Sequence, residues 1–187
     1  MDILNIFSAF GLSASAGLNA YIPLLIVSLV GRFAPNVMKL NPPWDVMTSW
    51  WIIGLLIVLS LIEFFADKIP AVDTVNDVIQ TFIRPTAGAI LFAASANVVT
   101  EVHPILSLGL GLLVAGSVHA VKATARPVVT ATTAGTGNAL VSTAEDIGAT
   151  VLSILSIVLP VVVAVLLVVA LVIILWRMLG RTSPSKV

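Results

Sequence analysis

The most informative pattern along this chain is the placement of its uncharged stretches. No Asp, Glu, Lys or Arg occurs in 3–31, 46–62, 85–100, 104–121 or 147–176. Each of these runs predicts a membrane helix, because about 20 apolar residues span the hydrocarbon core of a bilayer. With their interfacial ends the spans are expected near 8–31, 46–66, 85–100, 104–122 and 147–177. Residues 5–11 are expected to lie along the surface before the first crossing. Pro23 should kink that crossing, and Pro160 should kink or break the last run, which is too long for one straight passage. Gly88, Ala89, Ala93 and Ala94 let the third span approach its neighbours closely and place it centrally. The expected fold is a single all-α domain over 1–187, a polytopic transmembrane bundle of about five to six segments with a re-entrant or broken helix.

Polar segments separate these spans. Asn41-Pro42-Pro43-Trp44 is a turn signal. Residues 70–83 place Val72, Val75, Ile79 and Phe82 at helical spacing with Asp73 and Asp77 on another face, the pattern of an amphipathic helix. Residues 127–146 interleave Thr, Ser and Asn with Ala and Gly. That mixture suits either a re-entrant, pathway-lining element or a flexible loop. Trp44, Trp50, Trp51 and Trp176 fall at span ends, where indole rings favour the interface. Arg177, Arg181 and Lys186 put the C-terminus on the cytoplasmic side by the positive-inside rule. Whether the last run crosses once or twice, the segments 63–84 and 122–146 share one side of the membrane and can meet. A short internal echo, Phe82-Ile83-Arg84-Pro85 with Thr124-Ala125-Arg126-Pro127 and Gly17-Leu18-Asn19-Ala20 with Thr136-Gly137-Asn138-Ala139, suggests a weak internal duplication.

Composition narrows the class further. Hydrophobic residues make up 59% of the chain, charged residues 10%, and the mean hydropathy is +1.13, whereas a soluble domain carries roughly 25% charged residues. Nine basic and nine acidic residues cancel, which argues against a nucleic-acid partner and a polybasic anchor. There is no cysteine, so disulfides, thiolate metal sites and a cysteine nucleophile are excluded. The N-terminal residues lack the basic region of a secretory signal, so the first helix is expected to be retained.

Because charges are scarce, each is a candidate for function. Glu63 and Asp67 extend the second span and share one helical face at i and i+4, with Lys68 beside them. Two carboxylates at the hydrocarbon boundary attract a cation or share a proton, and ionisable groups there are costly. Asp73 and Asp77 either join them or simply face water. His119, Lys122 and Arg126 share one face at the end of the fourth span. His119 can shuttle a proton, pair with Glu63 or serve structurally, and the two cations can join a paired network or snorkel to the interface. Arg84 adds a third cation and Asn19 a neutral hydrogen-bonding group. Glu145 and Asp146 are expected at the start of the last helix, where acids suit the dipole. No metalloprotease spacing, phosphate-binding loop or nucleophile elbow is present, and His119 with His103 cannot make a multi-histidine site, so no cofactor or resident metal is expected.

Four ordered blocks carry a family resemblance. They are Gly11-Leu12-Ser13-Ala14-Ser15-Ala16-Gly17-Leu18-Asn19-Ala20-Tyr21-Ile22-Pro23, Glu63-Phe64-Phe65-Ala66-Asp67-Lys68-Ile69-Pro70-Ala71-Val72-Asp73, Arg84-Pro85-Thr86-Ala87-Gly88-Ala89 and His119-Ala120-Val121-Lys122-Ala123-Thr124-Ala125-Arg126. Together they resemble the bacterial membrane-protein family known as domain of unknown function 4126, over Phe10 to about Asp146. The resemblance implies a small multi-pass protein of the bacterial inner membrane and carries no assigned activity.

Three functions fit these residues. In a transporter or channel, Glu63 and Asp67 would take a proton or cation, and Arg84, Lys122 and Arg126 an anionic group. In a membrane enzyme or carrier for lipid phosphates, the arginines would hold phosphate and His119 would act as base. In a structural subunit the charges would only pair helices. The expected partners are membrane lipids and a small ion or anionic ligand, with self-association left open.

Overall fold

The computed structural model describes residues 2–96 and 103–180. The end of the expected third span, 97–100, and the tail cations Arg181 and Lys186 lie outside the described residues. Seven α-helices account for nearly all of the described chain: α1 Asp2–Leu18, α2 Tyr21–Phe33, α3 Trp50–Ala66, α4 Pro70–Ala96, α5 Pro104–Thr133, α6 Asn138–Val158 and α7 Pro160–Gly180, with a short 3-10 turn at Trp44–Thr48 before α3. The fold is all-helical, as the hydrophobic runs require. Three segments are long and apolar enough to cross a bilayer, Val75–Ser95, Pro104–Thr133 and Asn138–Val158, and Leu4–Leu18, Tyr21–Phe33 and Trp50–Ala66 are shorter apolar helices.

The first apolar run divides into α1 and α2, and the division falls at Asn19-Ala20 rather than at Pro23. Proline is tolerated in the first turn of a helix, where its missing N–H has no intrahelical partner. Pro23 stands in that turn of α2. Asn19 makes the break, because its Oδ1 accepts from Tyr21 N and Ile22 N, both at 3.0 Å, and so caps α2. The N-terminal part of α1 is not a surface segment. Ala9 and Leu12 are fully buried, and Phe10 stacks edge-on against Phe92 at 5.0 Å. Pro160 does break the last run, since α6 ends at Val158 and α7 starts at Pro160.

Two other prolines leave their helices unbroken. Pro85 lies inside α4, so the amphipathic segment 70–83 and the apolar stretch after it form one helix. Pro127 lies inside α5, which therefore continues past the expected span end at 122 to Thr133. Threonine hydroxyls bond to backbone carbonyls near both prolines, Thr86 Oγ1 to Phe82 O and Thr130 Oγ1 to Arg126 O. The hydroxyl-rich segment 127–146 is the end of α5, a tight turn and the first two turns of α6. Ala134 and Gly135 take positive φ angles of 48° and 83° in that turn, and Thr132, Thr133 and Thr136 each donate to a carbonyl three or four residues back.

α1 is the central helix, packing against α4, α5, α6 and α7, and α4 and α5 pack against each other along much of their lengths. Small residues permit this approach. A side chain at Gly88 would collide with Ala115 and come within 2.8 Å of the Gly111 carbonyl, and one at Gly111 would lie 2.6 Å from Phe92 Cβ. The outer faces are apolar and exposed, with Trp51, Phe65, Val162 and Val165 among them. That is the surface a bilayer covers.

Glycine substitutions test this packing. Gly88→Ala and Gly111→Ala should each lower stability by about 1–3 kcal/mol through overpacking, read as a lower unfolding temperature in detergent. Gly54→Ala and Gly109→Ala, whose added atom meets nothing within 4 Å, should be neutral or slightly stabilising. Equal losses at all four positions would contradict the packing.

Candidate functional site

Helix periodicity brings the charged residues together. On α4, Asn76, Gln80 and Arg84 recur every four residues and share one face, with Asp77 and Thr81 beside them. On α5, His119, Lys122 and Arg126 face the same way, and on α6 so do Ser142, Glu145 and Asp146. The end of α3 supplies Glu63, and Asp67 caps it. These faces meet in one cluster, well within the lengths of α4 and α5 rather than at their ends.

At its centre Arg84 has no exposed surface. Its Nη2 donates to Glu63 Oε1 at 2.9 Å, and its Nη1 lies 3.8 Å from Asp77 Oδ1 and 3.1 Å from His119 Nδ1. A guanidinium only donates, so Nδ1 of His119 is the acceptor and its proton sits on Nε2. Thr81 Oγ1, which donates its own proton to Asp77 O, accepts from that Nε2 at 3.1 Å. Both ring nitrogens of His119 are therefore engaged, and its ring reaches Arg84 rather than Glu63.

A second knot lies beside the first. Glu145 Oε2 accepts from Lys122 Nζ and Arg126 Nη2, each at 2.8 Å. Asp67 Oδ2 is 3.4 Å from Arg126 Nη2 and 4.0 Å from Lys122 Nζ, and Asp67 Oδ1 accepts from Asn76 Nδ2 at 2.8 Å. Arg126 Nη1 stands 4.0 Å from Asp77 Oδ2, which joins the two knots. Lys122 also donates to Leu18 O at 3.2 Å, the carbonyl that ends α1. Asn19 Nδ2 donates to Asp146 Oδ1 at 3.0 Å. The cluster thus grips the helix break from two sides.

Charge does not balance in this cluster. Glu63, Asp67, Asp77, Glu145 and Asp146 face Arg84, Lys122 and Arg126. Among the described residues, five carboxylates against three fixed cations leave two negative charges, and three carboxylate oxygens, Glu63 Oε2, Asp77 Oδ1 and Asp146 Oδ2, are buried without a hydrogen-bond partner. Buried charge that is not paired is expensive. Carboxylates and cations alternate, and no group of three metal-ligating side chains is gathered among the described residues.

Glu63, Asp67, Asp77, Arg84, His119, Lys122, Arg126, Glu145, Asp146 and Asn19 all join this cluster. Lys68 does not. Its ammonium donates to Phe64 O and lies 3.3 Å over the Phe64 ring, at the rim. Asp73 belongs to α4, and its side chain lies outside the described residues. Glu145 and Asp146 sit two turns into α6 rather than at its start, because Asn138 already begins the helix. Asn76, Gln80, Thr81 and Ser142 are additions, legible only once 70–83 and 127–146 are read as helix with a buried face.

A family model for a domain of unknown function, DUF4126, matches residues 6–179. The chain belongs to that family. The match takes in every residue of the cluster, and the family's name assigns it no activity. No curated protein and no solved structure matches the chain.

The imbalance makes an asymmetric prediction. Arg84→Gln should cost about 3–5 kcal/mol, since it strands buried carboxylates. Glu63→Gln removes one excess negative charge and should cost far less. Thermal unfolding of the two variants in the same detergent measures the difference, and equal destabilisation would contradict the charge count.

Proposed function

We propose that this protein is a proton-coupled membrane transporter whose buried cluster holds exchangeable protons on carboxylates in excess of its cations. The observation that carries this reading is the surplus of two negative charges among described side chains that are buried or only partly exposed. Counting Lys68 at the rim would still leave one. Protons are the counter-charge this geometry favours, because one oxygen each of Glu63 and Asp146 is buried without a hydrogen-bond partner and, among the described residues, no three ligands gather for a metal ion. An anionic solute is a poorer fit, since Arg84, Lys122 and Arg126 already contact carboxylates. Lipid-phosphate chemistry is likewise less favoured, with both nitrogens of His119 engaged.

Two further features support transport. The helix break at Asn19 lies against the cluster, and discontinuous helices whose free ends face a charged site are a recurring transporter element. From Asp146 a polar seam follows the α1·α6 interface: Asn19 bonds Asp146, Ser15 bonds Ser153 Oγ and Ala149 O at 2.7 Å, and Ser8 bonds Ser156 O at 2.6 Å. It ends where Ser8 and Ser95 line a cavity of about 140 Å³ with Asn5 and Lys39. A cytoplasmic membrane of a bacterium, with its standing proton gradient, is the setting this reading assumes.

The experiment is reconstitution into liposomes with a trapped pH dye and an imposed pH difference, challenged with a panel of cationic, neutral and anionic solutes. At least one solute should collapse the gradient faster than in protein-free vesicles, and Glu63→Gln should bring the rate back to that baseline. Folded protein that leaves the gradient's lifetime unchanged with every solute would overturn the proposal.

A further inference from the structure

Between α4 and α5 lies a second, larger cavity, of about 540 Å³. Val78, Ala123, Pro127 and Ala131 form its apolar wall, and Asp77, Thr81 and Arg126 bring the edge of the charged cluster into it. It opens sideways. The outer faces of the same two helix segments carry Val78, Phe82, Val121 and Val128, which are 62–76% exposed, so the mouth is flanked by the kind of apolar surface that a bilayer covers. A molecule entering there must be largely apolar, as ligands of such pockets are.

The charge of the occupant follows from the cluster. Arg126 is held by Glu145 at 2.8 Å and by Asp67 at 3.4 Å, while both oxygens of Asp77 have cations only at ion-pair distances of 3.8 and 4.0 Å. Asp77 Oδ1 has no hydrogen-bond partner. The groups that bear on Asp77 are Arg84 on α4, His119, Lys122 and Arg126 on α5, Glu63 and Asp67 from α3, and Glu145 on α6; once the exchangeable proton has left, the four carboxylates, Asp77 included, outnumber the three cations by one. An N–H cation therefore gains both a hydrogen bond and the net field, whereas an anion gains neither.

We infer that the cavity between α4 and α5 binds an amphiphilic organic cation, a protonated amine on an apolar body, which enters from the bilayer and pairs with Asp77. This names the substrate class of the proposed transporter and rests on that reading only for the exchange step: as the ammonium enters, one proton leaves a cluster carboxyl for water, so charge is conserved.

The test uses the full chain in zwitterionic lipid nanodiscs and three probes of one shape, naphthylethylammonium, naphthylethanol and naphthylpropionate, followed by equilibrium dialysis and by pH change in weak buffer. The ammonium should bind saturably at one per chain, with the alcohol and the carboxylate at least about tenfold weaker. Asp77→Asn should weaken the ammonium at least about tenfold, to the level of the alcohol. Ala131→Trp, on an exposed position of the wall, puts bulk into the cavity while leaving every charged group in place and should abolish saturable binding. If Asp77→Asn does not fold, Ala131→Trp decides. Equal binding of ammonium and alcohol, or ammonium binding unchanged in either folded variant, would overturn the inference. Ammonium binding without proton release would uphold the site and count against proton coupling. A cluster that titrates protons but takes no ammonium would do the reverse.

Discussion

The structure turns on a guanidinium with no contact with solvent. Arg84 stands inside α4, and three elements are organised by what it requires: Glu63 from α3 at 2.9 Å, His119 from α5 at 3.1 Å and Asp77 two turns back on its own helix. A buried cation without partners is not tolerated in an apolar bundle. The helices must therefore arrive with these faces inward, and the small residues Gly88, Gly111 and Ala115 let them come close enough to do so. Lys122 and Arg126 repeat the requirement one to two turns further along α5 and draw α6 in through Glu145. Packing and charge are thus one constraint, imposed along the α4·α5 contact.

Much of this was legible in the chain. The uncharged runs gave helices, the i, i+3 and i+7 spacing of His119, Lys122 and Arg126 gave a common face, and the shared side of 63–84 and 122–146 gave their meeting. What misled was local chemistry read without tertiary context. Pro85 and Pro127 look like helix ends, yet both lie within helices, so the amphipathic helix expected at 70–83 runs on without a break into the apolar stretch after it, and the segment 127–146, which resembles a loop, is mostly helical. Pro23 looks like a kink, yet it sits harmlessly in a first turn while Asn19 makes the break. The role of Asn19 depends on Asp146, far along the chain, and no local pattern announces such a partner. The sequence echo also reads differently in space. Both Arg-Pro pairs lie inside long helices and both Asn residues stand at helix starts, but Asn19 precedes Arg84 whereas Arg126 precedes Asn138, so the two blocks recur in reversed order.

The negative surplus links fold to function. A structural network would be expected to balance, as a bundle gains nothing from carboxylates beyond those its cations can pair. Here the surplus sits against a helix break, at one end of a serine seam and at the inner edge of the cavity between α4 and α5. Each of these elements has an ordinary structural use on its own. Their convergence on one cluster, the helix break and seam at Asp146 and the cavity at Asp77, is what favours a site where charge enters and leaves, and the grip of Lys122 on Leu18 O and of Asn19 on Asp146 ties that charge to the break between α1 and α2.

The most direct measurement of the central claim is infrared absorption of the purified protein in lipid near neutral pH, where protonated carboxylic acids are distinguished from carboxylates by their C=O stretch. One or two protonated carboxyl groups are expected, with the signal reduced in Glu63→Gln or Asp146→Asn and lost reversibly as pH rises. A spectrum in which every carboxyl is ionised at neutral pH, unchanged by either substitution, would contradict the account.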